Sequence, residues 1–194
     1  MDEKEAAIDI SNFPINAKDP IDVTIPENWQ YECYKQAAEF EEAEQCLLEK
    51  VAEIRKTDKR EAASKFVSAI AVNSAFSLEL YLKCLLHIDR RKMYSIHQLV
   101  CLFKQLSPKR KDQIEKLYAA EHSTGESLTK ILEESDTAFE DWRYKFEGIK
   151  SKIGTGRYAE NMTYSASVLI KYVKIAIKQS APASLLKRLN APHS

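Results

Sequence analysis

AFSLELYLKCLL (residues 75–86) and, after a short basic turn, SIHQLVCLFKQLSP (residues 95–108) are the stretches that decide the fold. Their apolar residues recur at helical rather than strand spacing. At 100° per residue, Phe66, Ala69, Asn73, Phe76, Leu80, Lys83, Cys84 and His87 share one helical face, which is therefore expected to be buried with three polar side chains in it. Asp58 and Glu61 have capping-box spacing and place the start of this helix, which should run to about Ile88. Ser95 and Gln98 repeat the pattern. A third helix is then expected from Ile96 through Leu99, Leu102, Phe103 and Leu106, with His97 in its first turn. Ser107–Pro108 combines a cap with a favoured first-turn proline, so it should end that helix and open a fourth carrying Ile114, Leu117 and Tyr118.

Upstream, Tyr34, Ala37, Phe40, Cys46 or Leu47, Val51 and Ile54 predict a first long helix from near Glu27 to Lys56. Residues 1–26 carry Pro14, Pro20 and Pro26 with apolar residues at period two. This predicts an extended N-terminal arm, either frayed or docked on the bundle or a second subunit. Downstream, Ser123 with Glu126 precedes Leu128, Ile131 and Leu132, and Asp136 precedes Phe139, Trp142, Tyr144 and Phe146. Gly148, Gly154 and Gly156 mark a linker. A last helix over about 158–179 should bury Met162, Ala166, Leu169, Val173 and Ile177, and residues 180–194 read as a ragged C-terminal tail. The expected architecture is all-α, an antiparallel bundle of five to seven helices over residues 27–179.

Composition narrows the functional classes. Twenty-nine Lys+Arg balance 29 Asp+Glu, so no net field steers the chain toward nucleic acid, and any such contact must come from a local patch. Four cysteines (Cys33, Cys46, Cys84 and Cys101) sit inside helical patterns with no basic-then-apolar leader before them. Reduced thiols and a cytoplasmic location are expected. No run approaches the ~18 apolar residues of a membrane span, because Glu79, Lys83, Lys171 and Lys174 interrupt the densest segments.

The alanine and aromatic spacing of 75–86, its Glu79/Lys83 pair and the His97-x-Leu99 opening the next helix together resemble the central hairpin of HEPN domains. That resemblance implies a homodimer with a composite cleft and a role in RNA processing or in toxin and defence systems. It also gives Arg91 and His97, five residues apart, the look of the Arg/His pair of HEPN ribonucleases. In such a pair a histidine moves the 2'-hydroxyl or leaving-group proton, and an arginine stabilises the phosphorane without metal. At this position, however, the family pattern also matches the His-x-Leu of noncatalytic relatives. The late segment FEDWRYKFEG (139–148) resembles the aromatic-Arg-Tyr signature of HEPN-like families through Arg143 and Tyr144, with Glu147 one turn on to hold the guanidinium. No histidine lies between Arg143 and His193.

From the residues themselves, a polar cleft built from Asn73, Lys83, His97 and Arg143 is the expected ligand site, since buried polar atoms need partners. The alternative is a satisfied network that fixes helix register. Cys84/His87 and His97/Cys101 have the ligand count for zinc, but they lie among leucines and match no compact knuckle, so no metal or cofactor is expected. Arg90, Arg91 and Lys92, with Lys104, Lys109, Arg110 and Lys111, form the main basic concentration, and Tyr94 is placed to stack on a base. The expected function is binding of a nucleotide, RNA or partner protein without strong catalysis. A metal-independent endoribonuclease using Arg91 and His97, or a structural and oligomerisation scaffold, are the alternatives.

Overall fold

A computed structural model describes residues 28–57, 64–90, 95–121, 128, 132–133 and 155–191, with the side chains of 155–165 excepted. Among the described residues the chain forms six helices and no strand: α1 (Trp29–Lys56), α2 (Val67–Arg90), α3 (Leu99–Gln105), α4 (Pro108–Glu121), α5 (Thr155–Ser180) and α6 (Ala183–Leu189). They make a helical bundle. The expected arm, the Asp58/Glu61 cap, Tyr94, the segments around Ser123, Asp136 and 139–148, and the arm-side boundary at Glu27 lie outside the described residues.

The centre of the bundle is α2. Ser77, Leu78, Glu79, Leu80, Tyr81 and Leu82 are six consecutive buried residues, and six residues turn through more than a full circle. A helix buried all round needs neighbours on several sides. It has three: α1, α3 and α5 all pack on it. This corrects the single-face expectation, because Ala69 is exposed and Asn73, Phe76 and Lys83 are only half-buried, whereas Ala71, Ser74 and Ala75 are inside. Leu80, Cys84 and His87 of the expected face are buried, so that face holds only toward its C-terminal end. Small residues face the core in the earlier turns because they let helix backbones approach. By length and composition α2 is also apolar enough to cross a membrane, but 72% of its most apolar window is buried within the bundle.

The α1–α2 seam runs antiparallel, and hydroxyl and thiol groups span it. Ser77 donates to the Ala37 carbonyl at 2.8 Å, Cys33 Sγ to the Leu80 carbonyl at 3.2 Å, and Cys84 Sγ to the Gln30 carbonyl at 3.5 Å. Around them Trp29 meets His87, Tyr34 meets Tyr81, and Phe40 meets Phe76 with ring centroids 5.0, 5.1 and 4.6 Å apart. Of the alternative first-helix positions, Leu47 packs inward on Val51 and Ile70, and Cys46 is exposed.

Beyond α2, helix three begins at Leu99 rather than Ile96, with Gln98 in extended geometry (φ −68°, ψ 120°) at its N-cap. Ile96 is buried (8% exposed) and pins this approach segment, so His97 precedes the helix instead of lying in its first turn. Ser107–Pro108 behaves as its chemistry dictates, for α4 starts at Pro108. Asp89, at the end of α2, accepts from the Ser107 backbone N–H at 2.8 Å and its hydroxyl at 3.0 Å, and pairs with Arg110 Nε at 3.5 Å. Leu128 and Leu132, one turn apart, are buried in the same core. On α5, Ala166, Leu169, Val173 and Ile177 are buried as the stripe predicts, joined by Ile170, Tyr172 and Ala176. The ragged-tail expectation is corrected by α6, which docks on α1 and buries Leu185.

Because Ala37 is fully buried and its carbonyl receives Ser77, Ala37→Leu should overpack the seam and cost about 1–3 kcal/mol. Ala43→Leu, at an exposed position of the same helix, should leave the melting temperature nearly unchanged. Thermal unfolding checks this, and equal Tm values for the two variants would contradict the seam.

Candidate functional site

Glu79 is the best-buried carboxylate facing a solvent-accessible base. Its side chain is 2% exposed, and its Oε1 accepts from Lys83 Nζ at 2.8 Å and from His97 Nδ1 at 3.0 Å. The local geometry follows from the sequence. Lys83 stands one turn after Glu79 on α2, where i,i+4 side chains meet, and buried Ile96 draws the extended 95–98 segment against α2 so that His97 reaches the same oxygen. An ionised carboxylate only accepts, so Nδ1 of His97 must carry a hydrogen, which leaves the lone pair of the neutral ring on Nε2. Glu79 therefore sets the tautomer. The His97 side chain is 59% exposed. A buried charge needs a partner, and Lys83, 15% exposed, supplies it. Glu79 Oε2 is buried with no partner among the described residues.

Of the expected cleft, Lys83 and His97 come together, on the buried Glu79 carboxylate. Asn73 does not join them. Its Nδ2 donates to the Ala69 carbonyl of its own helix at 2.7 Å, because ten residues of α2 carry it about 15 Å away along the axis. Arg91, Arg143, Tyr144 and Glu147 lie outside the described residues. In the basic concentration, Arg110 is committed to Asp89 and to Gln113 Oε1 (2.9 Å), and Lys111 reaches the Lys104 carbonyl at 3.4 Å. No three or more His, Cys, Asp or Glu side chains among the described residues are arranged to hold a metal.

The thiols next to this site are held in their neutral form. Burial pushes the Cys33 thiol up to about 12, with Lys83 opposing and Glu79 adding to the effect, and burial raises Cys84 as well. A thiol kept protonated is a poor nucleophile or metal ligand.

A second polar cluster was not anticipated. On α1, Glu41 accepts from Tyr81 Oη at 2.7 Å and from Lys174 Nζ at 2.7 and 2.9 Å, and that ammonium lies 5.5 Å from the Tyr81 ring centre. Glu44 is fully buried and accepts from the Ser167 hydroxyl at 2.9 Å. Its Oε2 neighbours the buried Ser74 hydroxyl without a closed hydrogen bond between them. Burial raises the Glu44 pKa, with Ser74 and Ser167 opposing and Glu41 adding to the rise. Burial likewise raises Tyr81, helped by its bond to Glu41. One signal was available in the sequence: Ala37, Glu44 and Val51 are spaced seven apart, which puts a carboxylate in line with two core positions.

Comparison with protein-family models, with curated proteins and with solved structures gives no match to this chain.

Removing Lys83 strands a buried carboxylate, so Lys83→Met should cost about 3–5 kcal/mol. The double variant Glu79→Gln/Lys83→Met should recover part of that loss, and a double-mutant cycle measures the coupling. For Glu44 the raised pKa means that the folded state holds a proton which the unfolded state releases, so its contribution to stability declines as pH rises from about 4.5 through the raised value. Glu44→Gln should abolish that decline and raise Tm at neutral pH by about 2–4 °C per kcal/mol relieved. Parallel Tm–pH profiles for the variant and the parent protein would refute it.

Proposed function

We propose that this chain is a HEPN-like helical domain that binds an anionic ligand, the phosphate of a nucleotide or RNA, at the Lys83/His97 edge of α2 and α3, without strong catalysis. The observation that carries this reading is the Glu79 carboxylate, which holds a lysine and a half-exposed histidine on one oxygen. Lys83 cancels the carboxylate charge, and the exposed His97 ring beside it is the group that an arriving phosphate would meet. The fold-level resemblance and the dimer it implies support the same reading by analogy alone.

The Nδ1-to-Glu79 bond also favours a second reading, a metal-independent endoribonuclease. A histidine held by a carboxylate through Nδ1 presents Nε2 as a general base, and Arg91 would stabilise the phosphorane. The two readings diverge in one assay. Purified protein is incubated with mixed RNAs in EDTA alongside His97→Ala, and binding of RNA and nucleotides is followed by shift in Tm. The binding reading expects no cleavage, and a ligand-induced Tm shift that falls several-fold in His97→Ala. Cleavage lost in that variant establishes the ribonuclease instead. Absence of any shift with RNA or nucleotide leaves a scaffold. Since His97 is more than half exposed and Lys83 still neutralises Glu79 without it, the variant itself should lose less than about 1 kcal/mol of stability.

A further inference from the structure

Residues 95–107 lie along α2 as a strap that two carboxylates hold. At its start His97 Nδ1 donates to Glu79 Oε1 at 3.0 Å, and at its end the backbone N–H and the hydroxyl of Ser107 donate to Asp89 Oδ2 and Oδ1 at 2.8 and 3.0 Å. Each partner follows its carboxylate by 18 residues. The two ties therefore share one register: Glu79 and Asp89 are ten residues apart on α2, His97 and Ser107 are ten apart on the strap, and the strap runs alongside α2 in the same direction. Lengths agree as well. Ten residues of α2 span about 15 Å, and the seven residues of α3 supply roughly 10 Å of that, with Gln98 and Leu106 in non-helical geometry at either end. Between the ties Ile96, Leu99, Leu102, Phe103 and Leu106 are buried. Apolar contact decides which face of α3 turns inward but is not directional, whereas a hydrogen bond weakens steeply when its geometry slips. The polar ties thus fix where along α2 the strap sits.

We infer that Asp89 is a positioning residue for His97: by anchoring Ser107 it holds the strap in the register at which Nδ1 meets Glu79. Its bearing on ligand binding rests on the reading of the Lys83/His97 edge proposed above. Asp89 is fitted for the task. Its side chain is 11% exposed, both its oxygens are engaged by Ser107, and Oδ1 is also 3.5 Å from Arg110 Nε, so the carboxylate has a cation beside it and little freedom to turn. His97 needs such an anchor, because its side chain is 59% exposed and its bond to Glu79 competes with water. A ring released from Glu79 has no carboxylate holding its hydrogen on Nδ1, and the Nε2–H tautomer then grows. Asp89 stands about 15 Å along α2 from Glu79 and acts only through the strap.

The test reads the tautomer of His97 by nitrogen NMR of the full chain without ligand, the signal being assigned by its loss in His97→Ala. The parent protein should carry the ring hydrogen on Nδ1. Asp89→Ala, which loses both bonds to Ser107, should shift the neutral ring toward Nε2–H. Asp89→Asn should keep the parent tautomer, since its amide oxygen still accepts from the Ser107 N–H and its Nδ2 can donate to the hydroxyl. Arg110→Met removes the ion pair and leaves both ties, so whatever it does to Tm it should not move the tautomer, which separates positioning from stability. A Tm shift induced by a nucleoside 5'-monophosphate should fall several-fold in Asp89→Ala and persist in Asp89→Asn. The inference is overturned by a parent ring that carries its hydrogen on Nε2, by a tautomer unchanged in Asp89→Ala or moved equally in Arg110→Met, or by an undiminished ligand shift in Asp89→Ala. If Asp89→Ala does not fold, Ser107→Ala, which loses only the hydroxyl bond, takes its place under the same criteria. Absence of any ligand shift in the parent protein refutes the binding reading alone, and the tautomer still decides the role of Asp89.

Discussion

Leu78, Tyr81, Leu82, Leu85 and Leu86, all at most 1% exposed, belong to a helix covered on nearly every side along this stretch, with Lys83 at the rim. Burying one such leucine or tyrosine is worth about 1.5–3 kcal/mol, but only if every sector of the helix is covered. Covering α2 is therefore the constraint from which the bundle is built. α1 takes one sector through small residues and hydroxyl and thiol donors, α5 takes another through Ala166, Leu169, Val173 and Ile177, and α3 closes the end through Leu99, Leu102 and Phe103.

Enclosure of α2 makes partners scarce for its buried polar groups, and Ser74 Oγ and Glu79 Oε2 are left without a hydrogen bond among the described residues. Glu79 lies within that enclosed stretch, so its charge is tolerated only with a partner, which Lys83 supplies on the same oxygen that His97 reaches. Glu44, facing α2 and α5 from α1, has weaker partners: hydroxyls rather than a cation, with its negative neighbour Glu41 already claimed by Lys174. Its raised pKa is the expected result of a carboxyl taken out of water without an opposite charge of its own. The same enclosure keeps Cys33 and Cys84 as neutral thiols that donate across the seam, which makes them packing residues with weak hydrogen bonds. The exposed polar groups stand at the rims, as His97 does beside α3.

The legible part of the fold was the part governed by local rules. Pro108 can open a helix but not continue one, so the α3–α4 break was fixed by two adjacent residues. Leu169, Val173 and Ile177 sit on one stripe of a helix whose Lys171, Lys174 and Lys178 lie off it, so their burial followed from periodicity. The sectors of α2 were not legible, because a helix apolar on all sides has no preferred face for periodicity to find. α6 was missed because a seven-residue helix gives too short a pattern, and only its docking on α1 shows which side of it is apolar.

By itself the sequence determined that the chain is helical, where several of the helices begin and end, and that Glu79 and Lys83 lie one turn apart on one of them. Those are short-range facts set by backbone geometry and side-chain type. Only the tertiary structure decided that Glu79 is buried, that His97 shares its oxygen while Asn73 turns back to its own helix, and that Glu44 stands among serines. It also brought Arg188 over Tyr31, 157 residues before it in the chain. Each of these depends on which helices lie side by side, and that is settled by the joint burial of surfaces remote in sequence, which no local spacing encodes.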